Sequence, residues 1–258
     1  MATDIKDVRY LTAVATRVLA KVGLATGILT SMGHASIRVP NQPDQFVVKG
    51  RGYEVDSLAV MQPEDMVVCN MNGSKVEGPK GVTPPNEVKM HSCIYNARPD
   101  VQAVVHVHPS FVVVMSVLRA RLAPMIVHGA ALVRNGLPIY PSPALITTEE
   151  SGVAVAGLLN GGKAVVLRGH GAATVGASVG EAISDMMELE EQAKLNWYAY
   201  CAAGPNYEGL SGDLLDEFNA TIANLRNLEH LKDADGETGR PRTSGTYDYY
   251  SMLAAGEM

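Results

Sequence analysis

The stretch Val101-Gln102-Ala103-Val104-Val105-His106-Val107-His108-Pro109 constrains this chain more than any other. A short apolar run reads as a strand, and strand side chains alternate between the two faces of a sheet. His106 and His108 then fall on the same side, so both imidazoles can address one ion. A third histidine arrives in a glycine-flanked loop, Arg168-Gly169-His170-Gly171, at the end of a second apolar strand over residues 163–167. Three imidazoles that leave other coordination positions open mark a catalytic rather than a structural metal site. The plainer reading, hydrogen-bonded histidines at packed strand ends, suits a lone histidine better than this pattern.

At 258 residues and 47% apolar content, the chain suffices for one large domain or two small ones. A net charge of -6 with no Lys/Arg stripe excludes an electrostatic footprint for nucleic acid. The run from Phe111 to Leu118 is far too short to span a bilayer. Cys69, Cys93 and Cys201 are widely spaced and form neither a disulfide framework nor a CxxC knuckle. With an acidic, polar start that does not read as a signal peptide, the expectation is a cytoplasmic protein with reduced thiols.

Helical spacing of Ile5, Val8, Leu11, Val14, Val18 and Leu19 predicts a first helix over residues 4–22. Short strands are expected at 35–39, 46–49 and 66–70, then a Gly/Pro-rich loop over 73–85. Thr83-Pro84-Pro85-Asn86 predicts a helix entry, with the helix over 86–97 and a stop at Arg98-Pro99. Beyond the His106 strand, a helix over 109–119 and a strand over 137–140 follow. A capping box at Thr147-Thr148-Glu149-Glu150 precedes a helix over 153–159, and another at Ser178–Glu181 opens a helix to about Cys201. The last helix is expected over 214–231. This alternation favours one α/β domain, a central sheet covered on both faces, with residues 1–231 forming the domain and 232–258 a tail.

Glu87, near the start of the 86–97 helix, reads by pattern as a first-turn carboxylate, or as a proton carrier or ligand beside the metal. His91 shares its helix face and either bonds Glu87 or is a buried structural histidine.

The series Glu87-Val88-Lys89-Met90-His91, Arg98-Pro99-Asp100-Val101, Ala103 to Pro109 and Gly169-His170-Gly171 resembles the class II aldolase/adducin family over about residues 10 to 205. The resemblance implies a three-layer αβα fold with a mostly antiparallel central sheet. It also implies a divalent metal held by His106, His108 and His170, Glu87 as the acid/base carboxylate, and a homo-oligomer, a tetramer or a multiple of one. The family's sugar-phosphate aldolases bind phosphate through a Ser-Gly pair in an early loop and a Ser-Ser pair before the catalytic Glu. This chain has Lys49-Gly50-Arg51-Gly52-Tyr53 and Pro85-Asn86-Glu87 there, and Gly33-His34 where the aldolases carry Gly-Asn. Arg51 is either a solvated loop charge or a bidentate holder of a planar carboxylate. His34 is either a packing residue or a donor to a substrate oxygen.

These departures resemble the family's branch of decarboxylases, which act on dihydroxyphthalates and on 3-hydroxy-2-methylpyridine-4,5-dicarboxylate. The expectation is a metal-dependent carbon–carbon lyase removing a carboxylate beside a ring hydroxyl, with Mn2+ preferred over Zn2+ and His34, Arg51, Gly52 and Tyr247 around the substrate. Tyr247, Tyr249 and Tyr250 enter because the aldolases bring a tyrosine from a neighbouring subunit or the C-terminal segment over the metal. An aldolase acting on another hydroxy-carbonyl compound and a non-catalytic module like the adducin head are the alternatives.

Overall fold

Eight short segments become strands: β1 (His34–Val39), β2 (Gln42–Lys49), β3 (Met66–Asn70), β4 (Lys75–Glu77), β5 (Ala103–Val107), β6 (Ile139–Tyr140), β7 (Ala164–Leu167) and β8 (Gly171–Gly176). In the computed structural model, which describes residues 4–230, 245–256 and 258, they join one sheet in the order β4-β3-β2-β1-β5-β8-β7-β6. Every pairing is antiparallel except β6 with β7. The helices are α1 (Ile5–Lys21), α2 (Val88–Ala97), α3 (Ser110–Leu118), α4 (Ala130–Val133), α5 (Glu149–Leu159), α6 (Val179–Ala203), α7 (Gly212–Asn224) and α8 (Gly245–Ala255).

Alternation along the strands divides the core into two layers. Ala103, Val105 and Val107 of β5 face a cluster built with Val18 and Leu19 of α1 and Ile183, Met186 and Leu189 of α6. Val104 of β5, Val165 of β7 and Val175 of β8 face the other way, against Met90 and Ile94 of α2 and Val155 and Leu159 of α5. The molecule is therefore a three-layer αβα fold with a mostly antiparallel sheet. Burying each Val or Leu side chain in these layers stabilises by about 1.5–3 kcal/mol, which holds the strand ends rigid. Among the described residues, no helix is long and apolar enough to cross a membrane.

The boundaries depart from the sequence pattern in instructive places. The expected loop over 73–85 contains β4, an edge strand whose exposure leaves no apolar alternation to read. The expected helix over 214–231 gives way after Asn224 to a 3-10 turn at Leu225–Asn227, and residue 231 lies outside the described residues. Thr148, rather than Thr147, caps α5: its hydroxyl accepts from the Ser151 N–H at 3.2 Å. The tail assigned to 232–258 begins outside the described residues, but its last stretch forms α8. That helix packs on α1 and α6 and buries Ala254 in their core.

Candidate metal centre

His34 on β1 and His106 on β5 are direct cross-strand partners, so the ladder itself sets them side by side. By alternation both face the α2/α5 side. His108 lies just beyond the end of β5, where Pro109 leads into α3. The Glu190 carboxylate of α6 accepts from the Phe111 and Val112 N–H groups at 3.0 and 3.1 Å. It thereby caps a helix whose own N-cap, Pro109, offers no side-chain bond. His170 sits in the hairpin loop between β7 and β8. Gly169 takes φ 67 there, the left-handed conformation that three-residue hairpin loops require. Ser116 of α3 fixes the same loop by accepting from the Gly169 N–H at 3.0 Å.

Glu87 is the N-cap of α2 rather than a first-turn residue, which frees its side chain to turn toward the strand ends. Its Oε1 accepts from the Ile146 N–H at 3.1 Å, while Oε2 lies 3.2 Å from His106 Nε2 and 3.4 Å from His170 Nε2. One ligand atom from each of Glu87, His106, His108 and His170 lies within 4.8 Å of all the others.

The donor chemistry fits a divalent cation. His106 Nδ1 donates to the Ala172 carbonyl at 2.9 Å, which leaves the lone pair of Nε2 facing the Glu87 carboxylate. Two lone-pair-bearing atoms at 3.2 Å repel unless a proton or a cation lies between them. His106 Nε2, His108 Nδ1 and His170 Nδ1 are all buried without a hydrogen-bond partner, an arrangement that costs free energy unless something satisfies it. Burial, reinforced by His106 and His170, pushes His108 down to about 3, so its ring offers a lone pair at neutral pH. Burial alone would raise the Glu87 carboxyl, but the close approach of the His106 and His170 rings outweighs it and holds the group well below the usual carboxylate range.

A cavity of about 260 Å³ opens beside this cluster, lined by Glu87, His108, His34, Lys49, Arg51 and Asn86 among others. Arg51 is anchored by its backbone, exchanging hydrogen bonds with Thr83 at 2.8 and 3.0 Å, while its side chain stays exposed. Lys49 is buried; its ammonium pairs with Asp56 and donates to the Gly50 carbonyl at 3.1 Å. Nothing in the sequence singled out Lys49, although a lysine closing an apolar strand is the signal that would have found it.

Two residues expected around the substrate fall elsewhere. Gly52, at φ 104, lies in the exposed turn after β2 and does not line the cavity. Tyr247 packs with the α1/α6 core, its ring against Gly180 at the start of α6. That places it across the sheet from the metal cluster and at the far end of β5 and β8, where Ala103 pairs with Gly176. Within one chain the tail therefore does not bring Tyr247 over the metal. Tyr250 shares its core and Tyr249 is exposed. His91 bonds His34 rather than Glu87, with 2.6 Å between the rings' nitrogens.

A helix-flanked, mostly antiparallel sheet carrying three histidines and one carboxylate at its strand ends defines a class of proteins with a site that fits a divalent metal. The chain belongs to that class as a member of the class II aldolase and adducin N-terminal domain family, whose model matches residues 11–197. It is 32% identical over 209 residues to 3,4-dihydroxyphthalate decarboxylase of Rhodococcus jostii (strain RHA1), covering 78% of this chain and 84% of that one. Among solved structures it is similar to an aldolase II superfamily protein from Pseudomonas syringae, with a TM-score of 0.79, 20% identity and coverage of 100% and 96% of the two chains. L-fuculose 1-phosphate aldolase from Glaciozyma antarctica PI12 superposes with a TM-score of 0.75 at 20% identity, covering 99% and 93%.

Proposed function

We propose that this protein is a divalent-metal-dependent decarboxylase of an ortho-hydroxy aromatic or heteroaromatic dicarboxylate. The observation that carries the reading is the Glu87/His106/His108/His170 cluster beside a cavity that Glu87 and His108 share with Arg51 and with the Asp56-paired Lys49. The likeness to a 3,4-dihydroxyphthalate decarboxylase supports the same substrate class.

His106, His108 and His170 hold the ion, which when bound supplies Lewis-acid withdrawal of charge from a ring oxygen and its neighbouring carboxylate. An oxygen-rich dicarboxylate substrate beside three imidazoles would favour Mn2+ over Zn2+. Arg51 grips the carboxylate that stays, with its planar fork matched to two oxygens. His34 donates to the same end of the substrate, and together they hold the ring in one orientation. Glu87 takes the ring hydroxyl proton on binding and later delivers it to the ring carbon. The bond from ring to departing carboxylate breaks, its electron pair stays on the ring carbon, and that carbon gains the proton from Glu87 as CO2 leaves. The working form is a homo-oligomer, a tetramer or a multiple of one, which light scattering checks; a monomer would contradict it.

Metal-loaded protein incubated with a panel of hydroxy-phthalates and hydroxypyridine dicarboxylates should release CO2 and an aromatic product one carboxylate smaller. Release of an aldehyde or pyruvate from hydroxy-carbonyl compounds, with no CO2 from the panel, would replace this reading with an aldolase.

A further inference from the structure

Behind His34 a chain of hydrogen bonds runs away from the cavity into the core. His34 Nδ1 meets His91 Nε2 at 2.6 Å, His91 Nδ1 meets Ser36 Oγ at 2.6 Å, and Ser36 Oγ meets the Tyr95 hydroxyl at 2.8 Å. His91 and Ser36 are fully buried and Tyr95 nearly so. With Nδ1 turned inward, His34 has Nε2 left for the cavity that it lines.

Two directions of donation are open to such a chain, and the inner end chooses between them. Ser36 and Tyr95 each bring one hydroxyl proton that needs an acceptor. Among the described residues, the Tyr95 hydroxyl has no hydrogen-bond acceptor besides Ser36 Oγ. If protons pointed inward, Ser36 would donate to Tyr95 and the phenol proton would be buried with nothing to receive it, a costly arrangement. If they point outward, every proton is satisfied: Tyr95 donates to Ser36, Ser36 to His91 Nδ1, and His91 Nε2–H to His34 Nδ1.

We infer that this relay fixes His34 with its proton on Nε2, as a permanent hydrogen-bond donor into the cavity, and that Ser36 and His91 are positioning residues for it. The assignment does not turn on charge: an extra proton on either ring leaves the Nε2–H of His34 in place. The consequence is selectivity. A fixed N–H beside Arg51 accepts only ligands that present an oxygen lone pair there, such as a carboxylate, and disfavours a hydroxyl-only or apolar end. This consequence rests on the proposed substrate cavity; the tautomer itself does not.

The test is long-range 1H–15N correlation NMR of the 15N-histidine protein, with calorimetric binding of phthalate as an unreactive dicarboxylate probe. In the wild type, His34 and His91 should both carry the proton on Nε2 with Nδ1 unprotonated. Tyr95→Phe should keep that pattern, because Ser36 still has His91 as its one acceptor. Ser36→Ala removes the donor that orders the relay, so His34 should become a mixture of both tautomers and phthalate should bind about twofold more weakly. A wild-type His34 protonated on Nδ1 overturns the inference, as does a Ser36→Ala protein that keeps a single Nε2–H tautomer. If Ser36→Ala fails to fold, the wild-type and Tyr95→Phe spectra still decide the direction of the relay. A wild type with the expected tautomers that binds no phthalate upholds the relay and counts against the proposed substrate class.

Discussion

Gly171 opens β8 directly against the strand end that carries His106 and His108, and Gly171→Ala tests whether these histidines are held by the sheet as tightly as the structure implies. Its backbone is not in the left-handed region, so the added methyl acts only by its bulk. A Cβ there would overlap the Val107 carbonyl oxygen and approach His108 Cδ2 to 3.0 Å and His106 Cε1 to 3.2 Å. Carbon atoms rest at about 3.5–4.0 Å, so each ring must retreat by roughly 0.3–0.5 Å or more. Metal–ligand distances tolerate only about ±0.2 Å. The expected result is metal affinity lower by about 10–100-fold, the range seen when ligand orientation is disturbed. Overpacking should also destabilise the metal-free protein by about 1–3 kcal/mol. Chelator-competition titration with Mn2+ reads the first effect and thermal melting the second. Gly157→Ala on the exposed face of α5, where a Cβ meets nothing within 4 Å, is the control and should stabilise by about 0.5–1 kcal/mol. Unchanged metal affinity and melting in Gly171→Ala would refute the packing argument.

Glu87→Gln keeps an oxygen for the Ile146 N–H but removes the proton carrier, so kcat should fall by about 10²–10⁴-fold while the folded protein still binds metal. Arg51→Lys retains charge and loses the fork; KM for a dicarboxylate should rise about tenfold with kcat nearly unchanged, read from steady-state kinetics. Asp185 of α6 is raised to about 6, first by burial, against the opposing pull of Lys163. A raised carboxyl favours the folded state while protonated; that contribution is complete below its ordinary value of 3.8 and lost as pH rises through about 6. Asp185→Asn should therefore melt higher than wild type above pH 6, by about 1–3 kcal/mol, and lose its advantage near pH 4. A gain independent of pH would contradict this.

The convergence of the three histidines was legible because it is written locally. The two-residue spacing of His106 and His108 and the glycines around His170 state which side chains meet and on what kind of turn. Glu87 was legible only through family likeness: by pattern it is an ordinary helix-start carboxylate, and its turn toward His106 comes from being the N-cap of α2, one residue before the helix begins. The core layers followed from apolar periodicity, whereas β4 and α4 did not, since both are too short to carry a period. The His34–His91–Ser36–Tyr95 relay was not legible at all. It depends on β1 lying beside β5 and under α2, a juxtaposition of segments 57 positions apart in the chain for His34 and His91. Tyr247 entered by family likeness alone, because sequence gives no direction to a tail. Once α8 docks on α1 and α6, apolar packing against Gly180 outweighs any reach toward the strand ends.

The central claim joins a metal to a leaving carboxylate, and one titration tests both. Chelator-stripped protein is supplied with carboxyl-13C-labelled 3,4-dihydroxyphthalate, and 13CO2 release is followed as Mn2+ is added in sub-stoichiometric steps. The account predicts no release without metal, then an initial rate rising linearly and breaking at one ion per chain, with Glu87→Gln binding the ion but releasing almost no 13CO2. Metal-independent release, or a filled site that leaves the labelled carboxylate in place, would contradict it.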